Sequence, residues 1–377
     1  MVLVADMKPV RGPGANHGAA LERRLTAQQL ARRTFQTPAE LVAWLGAVQA
    51  QDYAAAKWAV ALRLARADVT DGSIERALAD GAVLRTHMLR GTWQLVAPAD
   101  IHWMLALVAP RLIASNARRY RELDLDAKTF RRSNSALAKA LRTGEHRTRA
   151  ELSAALVDAG IGTGGQRFAY LLQRAELEGI VCSGARRGRQ RTYALAGHRV
   201  PEARTHVQRS QALAELARRY FRSRGPATVN DFAWWSGLAA AEARAGVEAI
   251  QSTLACAVVS GKTYWHARKA PVPVTSPTAH LLPPFDEYLI AYRDRSWFID
   301  PKHAKRVNAG GGMLGPCIVL DGRVAGTWRR TLGRHTVAIE LDLFETPASA
   351  EGHAMAEASQ SYGAFLGLET RVTSKRA

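Results

Sequence analysis

Cysteine is scarce in this sequence: Cys182, Cys256 and Cys317 are its three thiols. They stand too far apart for a CxxC pair and are too few for a disulfide framework, which argues against a stapled secreted scaffold and against a zinc site. Long apolar runs are missing as well. No stretch reaches the roughly 18 uninterrupted apolar residues of a membrane helix, and the opening "MVLVADMKPVRGPGANHGAALERR" has no signal-peptide h-region. A reducing cytoplasm, close to the nucleoid, is the expected compartment, with no membrane partner. Acidic residues are in deficit: 33 Asp plus Glu face 52 Lys plus Arg, for a net charge of +19 and a pI near 10.5. That excess fits a polyanionic partner such as nucleic acid; the plain alternative is arginine spread evenly over solvated faces. There is also no Ser-His-Asp ordering, HExxH, P-loop or dinucleotide fingerprint. The glycine run "NAGGGML" at 308–314 lacks the Lys-Ser/Thr of a Walker motif and reads as a flexible loop. No cofactor or metal is expected.

What is present is a chain of 377 residues, enough for two to four units at roughly 100–200 residues each. Residues 1–22 read as a mobile tail. Next, "TPAELVAWLGAV" carries Thr37 as N-cap, Pro38 at the first helical position and Glu40 as its capping-box partner. "VLRTHMLRGTWQLV" alternates around Arg90-Gly91 as a β-hairpin does, and "APADIHWMLALVAPRL" returns to helix. The order of helices followed by a hairpin is that of a winged helix, assigned here to 23–145. It recurs at 146–205, with a longer helix "QRFAYLLQRAELEGI" and a basic turn "ARRGRQRTYAL", and again at 206–270. Residues 271–377 form a β-rich region with strands in "CIVLDGRVAGTWRR" and "HTVAIELDLFE" and a last helix closing the chain. The expected class is α+β, mainly helical: three tandem winged helix-turn-helix modules and a small C-terminal β-rich region. Arg186, Arg187, Arg189 and Arg191 crowd the second wing tip, where guanidinium groups suit phosphates; a solvated basic loop is the alternative.

One short motif resists a purely structural account. In "AVQAQDYAAAK" two amides, Gln49 and Gln51, flank Ala50, with Asp52 directly after. On a helix, residues i and i+2 do not face one another, but in an extended segment they do. Gly46 suggests that the helix ends before Gln49, which turns Ala50 inward and both amides to one side. An amide cannot act as a general base, yet it can orient a water or read a base edge; Asp52 is the nearby group that can take a proton. The alternative is that the glutamines satisfy backbone groups at a helix end.

"GAVQAQD", "RTHMLRGTWQLV", "RGPATVNDFAWWSGL", "LPPFDEYLIAYRDRS" and "VLDGRVAGTWRR" together resemble the AlkZ-type winged-helix DNA glycosylases, the group that includes YcaQ, over nearly the whole chain from residue 23. The resemblance implies three winged helices around a basic concave surface holding duplex DNA. It implies excision of alkylated bases, including N7-alkylguanines, and unhooking of interstrand crosslinks, in some members as self-resistance to DNA-alkylating antibiotics. The family's signature of Gln, an apolar residue, then Gln or Asp falls on Gln49, Ala50 and Gln51. It implies that Gln49 and Gln51 position a water, with Asp52 a less certain contributor. An N7-alkylated base is already cationic and leaves without strong acid catalysis, so a site of amides is sufficient. Arg167, Arg293 and Arg295 are further candidates for DNA contact, and the enzyme is expected to act as a monomer. The competing readings are a tandem winged-helix transcription regulator without catalysis and a lyase using Lys57 as a Schiff base, although a solvated lysine is the default on that helix.

Overall fold

The computed structural model describes residues 13–202, 207–268, 275–310 and 314–375. Its first helix, α1 (Pro13–Ala27), corrects the expected tail: residues 1–12 lie outside the described residues, but 13–22 are helical. Leu21 and Leu25, one turn apart, are buried, and Arg24 Nε donates to the Pro226 carbonyl at 2.9 Å. A glycine- and alanine-rich start masked this apolar pair.

Helix α2 (Pro38–Leu45) opens on the expected capping box of Thr37 and Glu40 and ends at Gly46, whose φ of +77° suits glycine. There follow β1 (Val48–Gln49), α3 (Tyr53–Ala61), α4 (Asp71–Ala79), β2 (Leu84–His87), β3 (Trp93–Val96) and α5 (Ile101–Ser115). The hairpin stands where the alternation puts it, with His87 opposite Trp93 and Arg90-Gly91 at the turn. A third strand joins it: β1 pairs antiparallel with β3, Gln49 opposite Gln94. The extended course of this segment is legible in the sequence, but two residues are too few to show that it pairs with the hairpin.

Next come α6 (Ala117–Glu122), α7 (Ala127–Leu141), β4 (Arg147–Thr148), α8 (Arg149–Asp158), α9 (Arg167–Leu177), β5 (Val181–Ser183) and β6 (Thr192–Leu195). Their apolar faces form a separate core around Phe130, Leu137, Leu152, Leu171 and Tyr193. The core therefore divides ahead of the expected 145/146 boundary, because α7 turns its amphipathic face to α8 and α9. A third group is α10 (Arg209–Arg224), α11 (Val229–Ser236), α12 (Ala240–Glu248) and the hairpin β7 (Leu254–Val259) with β8 (Lys262–Ala267).

The C-terminal part contains β9 (Ala279–Leu282), α13 (Glu287–Ile290), α14 (Ala304–Val307), β10 (Cys317–Leu320), β11 (Arg323–Leu332), β12 (Thr336–Leu343), α15 (Ser349–Leu366) and β13 (Glu369–Lys375). Its five-stranded sheet has the order β13-β12-β11-β10-β9. The last element is therefore a strand and not the expected helix: α15 crosses over so that β13 lies parallel to β12. Within "NAGGGML", residues 311–313 lie outside the described residues, while Asn308 and Leu314 form an antiparallel bridge.

The architecture is α+β. The first group, the third group and the C-terminal sheet share one continuous core, running from Leu21 and Leu45 through Tyr220 and Trp235 to Tyr288 and Trp328. Among the described residues no helix is long and apolar enough to cross a membrane, and none of the thiols is in a disulfide.

Candidate functional site

The Gln49–Asp52 segment runs from the end of β1 to the first turn of α3. Ala50 is fully buried, as its alternation with the glutamines predicts; its N–H donates to Trp93 O at 2.7 Å and its carbonyl accepts from Arg85 Nε at 3.0 Å. Gln49 is 9% exposed, whereas Gln51 is open to solvent. Both amide oxygens are turned to the β2–β3 hairpin. Gln49 Oε1 accepts from Arg90 Nη2 at 2.6 Å, and Gln51 Oε1 faces the Trp93 N–H at 3.4 Å. Asp52 is the N-cap of α3, its Oδ1 accepting from Ala55 N at 3.0 Å, a duty that leaves the other oxygen free in an exposed side chain.

Below this edge lies a buried ionic knot that sequence reasoning missed. Glu287, fully buried at the start of α13, accepts from Gln49 N at 2.9 Å through Oε1. Its Oε2 accepts from Arg224 Nε at 3.1 Å and Nη2 at 2.5 Å and from Trp235 Nε1 at 2.9 Å. Beside it, Asp286 pairs with fully buried Arg63 at 2.6 Å. A buried charge persists only when it is paired and hydrogen-bonded. The only sequence signal was "FDEYLIAY", two acids within an otherwise apolar stretch.

The hairpin supplies further missed residues. Arg85 is buried with its guanidinium 4.3 Å from the Trp93 ring centroid, and burial pushes its pKa down to about 10. His87 packs against Trp93, the ring centroids 4.3 Å apart and the planes tilted by 39°, and pairs with buried Glu176 of α9. Trp235 is core, whereas Trp234 is 46% exposed, its indole N–H bonded to Ile290 O.

The arginines expected at the second wing divide into two kinds. Arg186 turns back, its Nη1 3.3 Å from Glu75 Oε2, and Arg187 pairs with Glu151 at 2.7 Å, which holds that carboxyl at about 2. Arg189 and Arg191 are exposed and make no ion pair among the described residues. They line a cavity of about 550 Å³ together with Gln51, Asp52 and Lys57, and a second of about 810 Å³ with Arg85, Trp93 and Phe168. The β5–β6 turn thus lies over the glutamine motif instead of projecting away from it. Arg167 is spent on the carbonyls of Gly162, Leu123 and Asp124. Arg293 and Arg295 border a separate cavity of about 710 Å³ with Arg244 and Lys262. Lys57, expected to be solvated, is 3% exposed and donates to Asp71 at 2.7 Å and Glu75 at 2.9 Å, so it does not stand free as a nucleophile. No cluster of three or more His, Cys, Asp or Glu suited to a metal occurs among the described residues.

Comparison with known proteins places the chain in a family. The interstrand DNA cross-link repair glycosylase of Streptomyces sahachiroi is 26% identical over 325 residues, covering 81% of this chain and 85% of that protein. The solved structure of Streptomyces sahachiroi DNA glycosylase AlkZ superposes with a TM-score of 0.78, covering 94% of this chain and 99% of its own at 23% identity, which establishes the fold. The profile of the DNA glycosylase AlkZ-like family matches residues 42–365, a span that holds the glutamine motif, the hairpin and the Glu287 knot together. That match sets the regulator reading aside: the chain belongs to the AlkZ-like family of DNA glycosylases, enzymes that hydrolyse N-glycosidic bonds in DNA.

Proposed function

We propose that this glycosylase excises cationic alkylpurines of the N7-alkylguanine class from duplex DNA and unhooks interstrand crosslinks built on the same linkage, with Gln49 and Gln51 positioning the attacking water. The observation that carries the reading is the edge itself: two amides flank a buried alanine, bounded by the Trp93–Arg85 stack and by Arg189 and Arg191. Alkylation at N7 makes the base a good leaving group, so the site has only to hold water against an oxocarbenium-like sugar. Water oxygen bonds to C1′, the C1′–N9 pair leaves with the base and neutralises it, and the water proton passes to an acceptor. With both amide oxygens engaged by donors, Asp52 is the carboxylate lining that cavity that can serve. The crosslink activity named for the Streptomyces sahachiroi relative supports the second half of the reading.

The repeated order of helices followed by an antiparallel hairpin or small sheet supports three tandem winged helices, and the charge of +19 supports a DNA partner. Arg189 and Arg191, with Arg293 and Arg295 on the second basic surface, are the phosphate contacts, and a single chain forms the complete site. The test is release of base from a duplex bearing one N7-methylguanine, scored as alkali-labile sites, for wild type beside the Gln49→Ala, Gln51→Ala double variant. Release by wild type and a loss of at least about a hundredfold in the variant, the scale of an electrostatic catalytic group, is expected. A variant as fast as wild type overturns the reading.

A further inference from the structure

Arg90 occupies an unusual place. It sits in the β2–β3 turn at φ +57° and ψ +12°, a left-handed conformation that is unfavourable for a residue bearing a side chain. Such strain persists where the surroundings over-determine it, and it gathers at functional sites. Here they do. The turn is closed by Gly91 N to Met88 O at 2.9 Å and Met88 N to Thr92 O at 3.0 Å. The side chain lies against Gly237, where a Cβ would stand 3.2 Å from Arg90 Cγ. Its guanidinium then spans two parts of the fold: Nη1 donates to the Trp235 carbonyl and Nη2 to Gln49 Oε1 at 2.6 Å. Burial lowers its pKa, and the Glu287 carboxylate opposes that effect.

A guanidinium can only donate. Its bond to Gln49 therefore decides which end of the amide is which: Oε1 faces the guanidinium, and Nε2, which makes no hydrogen bond among the described residues, is the donor end turned away from it. The Glu287 carboxylate holds the backbone of the same residue at 2.9 Å. One residue is thus pinned at its main chain by a buried acid and at its side chain by an arginine in a strained turn.

We propose that Arg90 is a positioning residue that orients the Gln49 amide so that Gln49 enters the reaction as a hydrogen-bond donor. Arg90 acts through Gln49 and does not itself touch the reacting atoms. The proposal rests on the glycosylase reading above and sharpens the role of one residue in it.

The test is a double-mutant cycle, because residues that act through one another are non-additive. Wild type, Arg90→Met, Gln49→Ala and the double variant are compared in single-turnover release of N7-methylguanine at saturating duplex, in affinity for undamaged duplex at fixed salt, and in Tm. The expected result is a 10- to 100-fold slower release for Arg90→Met with duplex affinity within twofold of wild type. The double variant should be no slower than Gln49→Ala, and Arg90→Lys, which keeps one donor, should recover most of the rate. A double variant slowed by the product of the two single effects overturns the proposal, as does an Arg90→Met enzyme as fast as wild type. If wild type releases no base, the functional reading fails and the Tm cycle alone decides the geometry. Tm losses that do not add support the Arg90–Gln49 link; strictly additive losses overturn it.

Discussion

The main-chain N–H of Gln49 donates to Glu287 Oε1 at 2.9 Å, across 238 positions of sequence. Through that one bond the edge strand of the first sheet is registered on a carboxylate that also neutralises Arg224 and caps the Trp235 indole.

Glu287→Gln should therefore destabilise the whole fold. The amide keeps the shape but leaves the fully buried Arg224 guanidinium without its counter-charge, and removing one partner of a buried pair costs about 3–5 kcal/mol. Urea unfolding followed by fluorescence should show a lower midpoint at unchanged slope. A midpoint equal to wild type means that the knot is not a source of stability.

Asp52 caps α3, and the proposed function gives it a second task, which substitution can separate from the first. Asparagine is as good an N-cap as aspartate, while alanine costs about 1 kcal/mol at such a position. Asp52→Asn should keep the Tm and release N7-methylguanine at least tenfold more slowly, having lost the carboxylate that lines the cavity with Gln51. Asp52→Ala should lose both rate and a few degrees of Tm. An Asp52→Asn enzyme of full rate would reduce Asp52 to a helix cap.

The two kinds of arginine should separate in salt. Each phosphate neutralised contributes about 0.9 to the slope of log K against log salt. Replacing Arg189 and Arg191 together by alanine should flatten the slope by nearly 2, read by fluorescence anisotropy on undamaged duplex. Alanine at Arg187 or Arg167, whose guanidinium groups are engaged by Glu151 or by backbone carbonyls, should leave the slope unchanged. The opposite pattern would show that the β5–β6 turn rearranges on DNA.

His280 in β9 should make the protein sensitive to acid. Burial, reinforced by Arg33 and Arg63 and only partly opposed by Asp321, brings its pKa down to about 3 from 6.5. Between those values the unfolded chain binds a proton that the native protein does not. Stability from this group is fully present above pH 6.5 and declines as pH falls towards 3, by at most about 1.4 kcal/mol per pH unit. His280→Leu should show a shallower fall in Tm than wild type between pH 6.5 and 4. Parallel curves would assign the acid sensitivity to other groups.

Much of this was written locally. The Thr37-Pro38-Glu40 cap, the hairpin around Arg90-Gly91 and the inward turn of Ala50 depend on neighbours within a few residues, and each follows from local propensity and alternation. The family resemblance likewise rested on short motifs in order, and the match over residues 42–365 agrees with it. What the sequence could not determine were the pairings that span the chain. Nothing near Arg186 or Arg187 distinguishes them from Arg189 and Arg191; only the approach of Glu75 and Glu151 in space does, because a Coulomb partner is chosen by distance and not by order. Lys57 reads as a solvated helix residue until α4 brings Asp71 and Glu75 over it. The sense of the Gln49 amide was equally hidden: it is set by a guanidinium 41 positions later, held in a turn that packs on Gly237 of another part of the fold. The sequence by itself determined the capped helices, the hairpins and the amide motif, whereas tertiary structure decided the pairing of β1 and β13 and which polar groups were left free to meet DNA, since hydrogen-bond satisfaction of buried groups is settled only when the core closes.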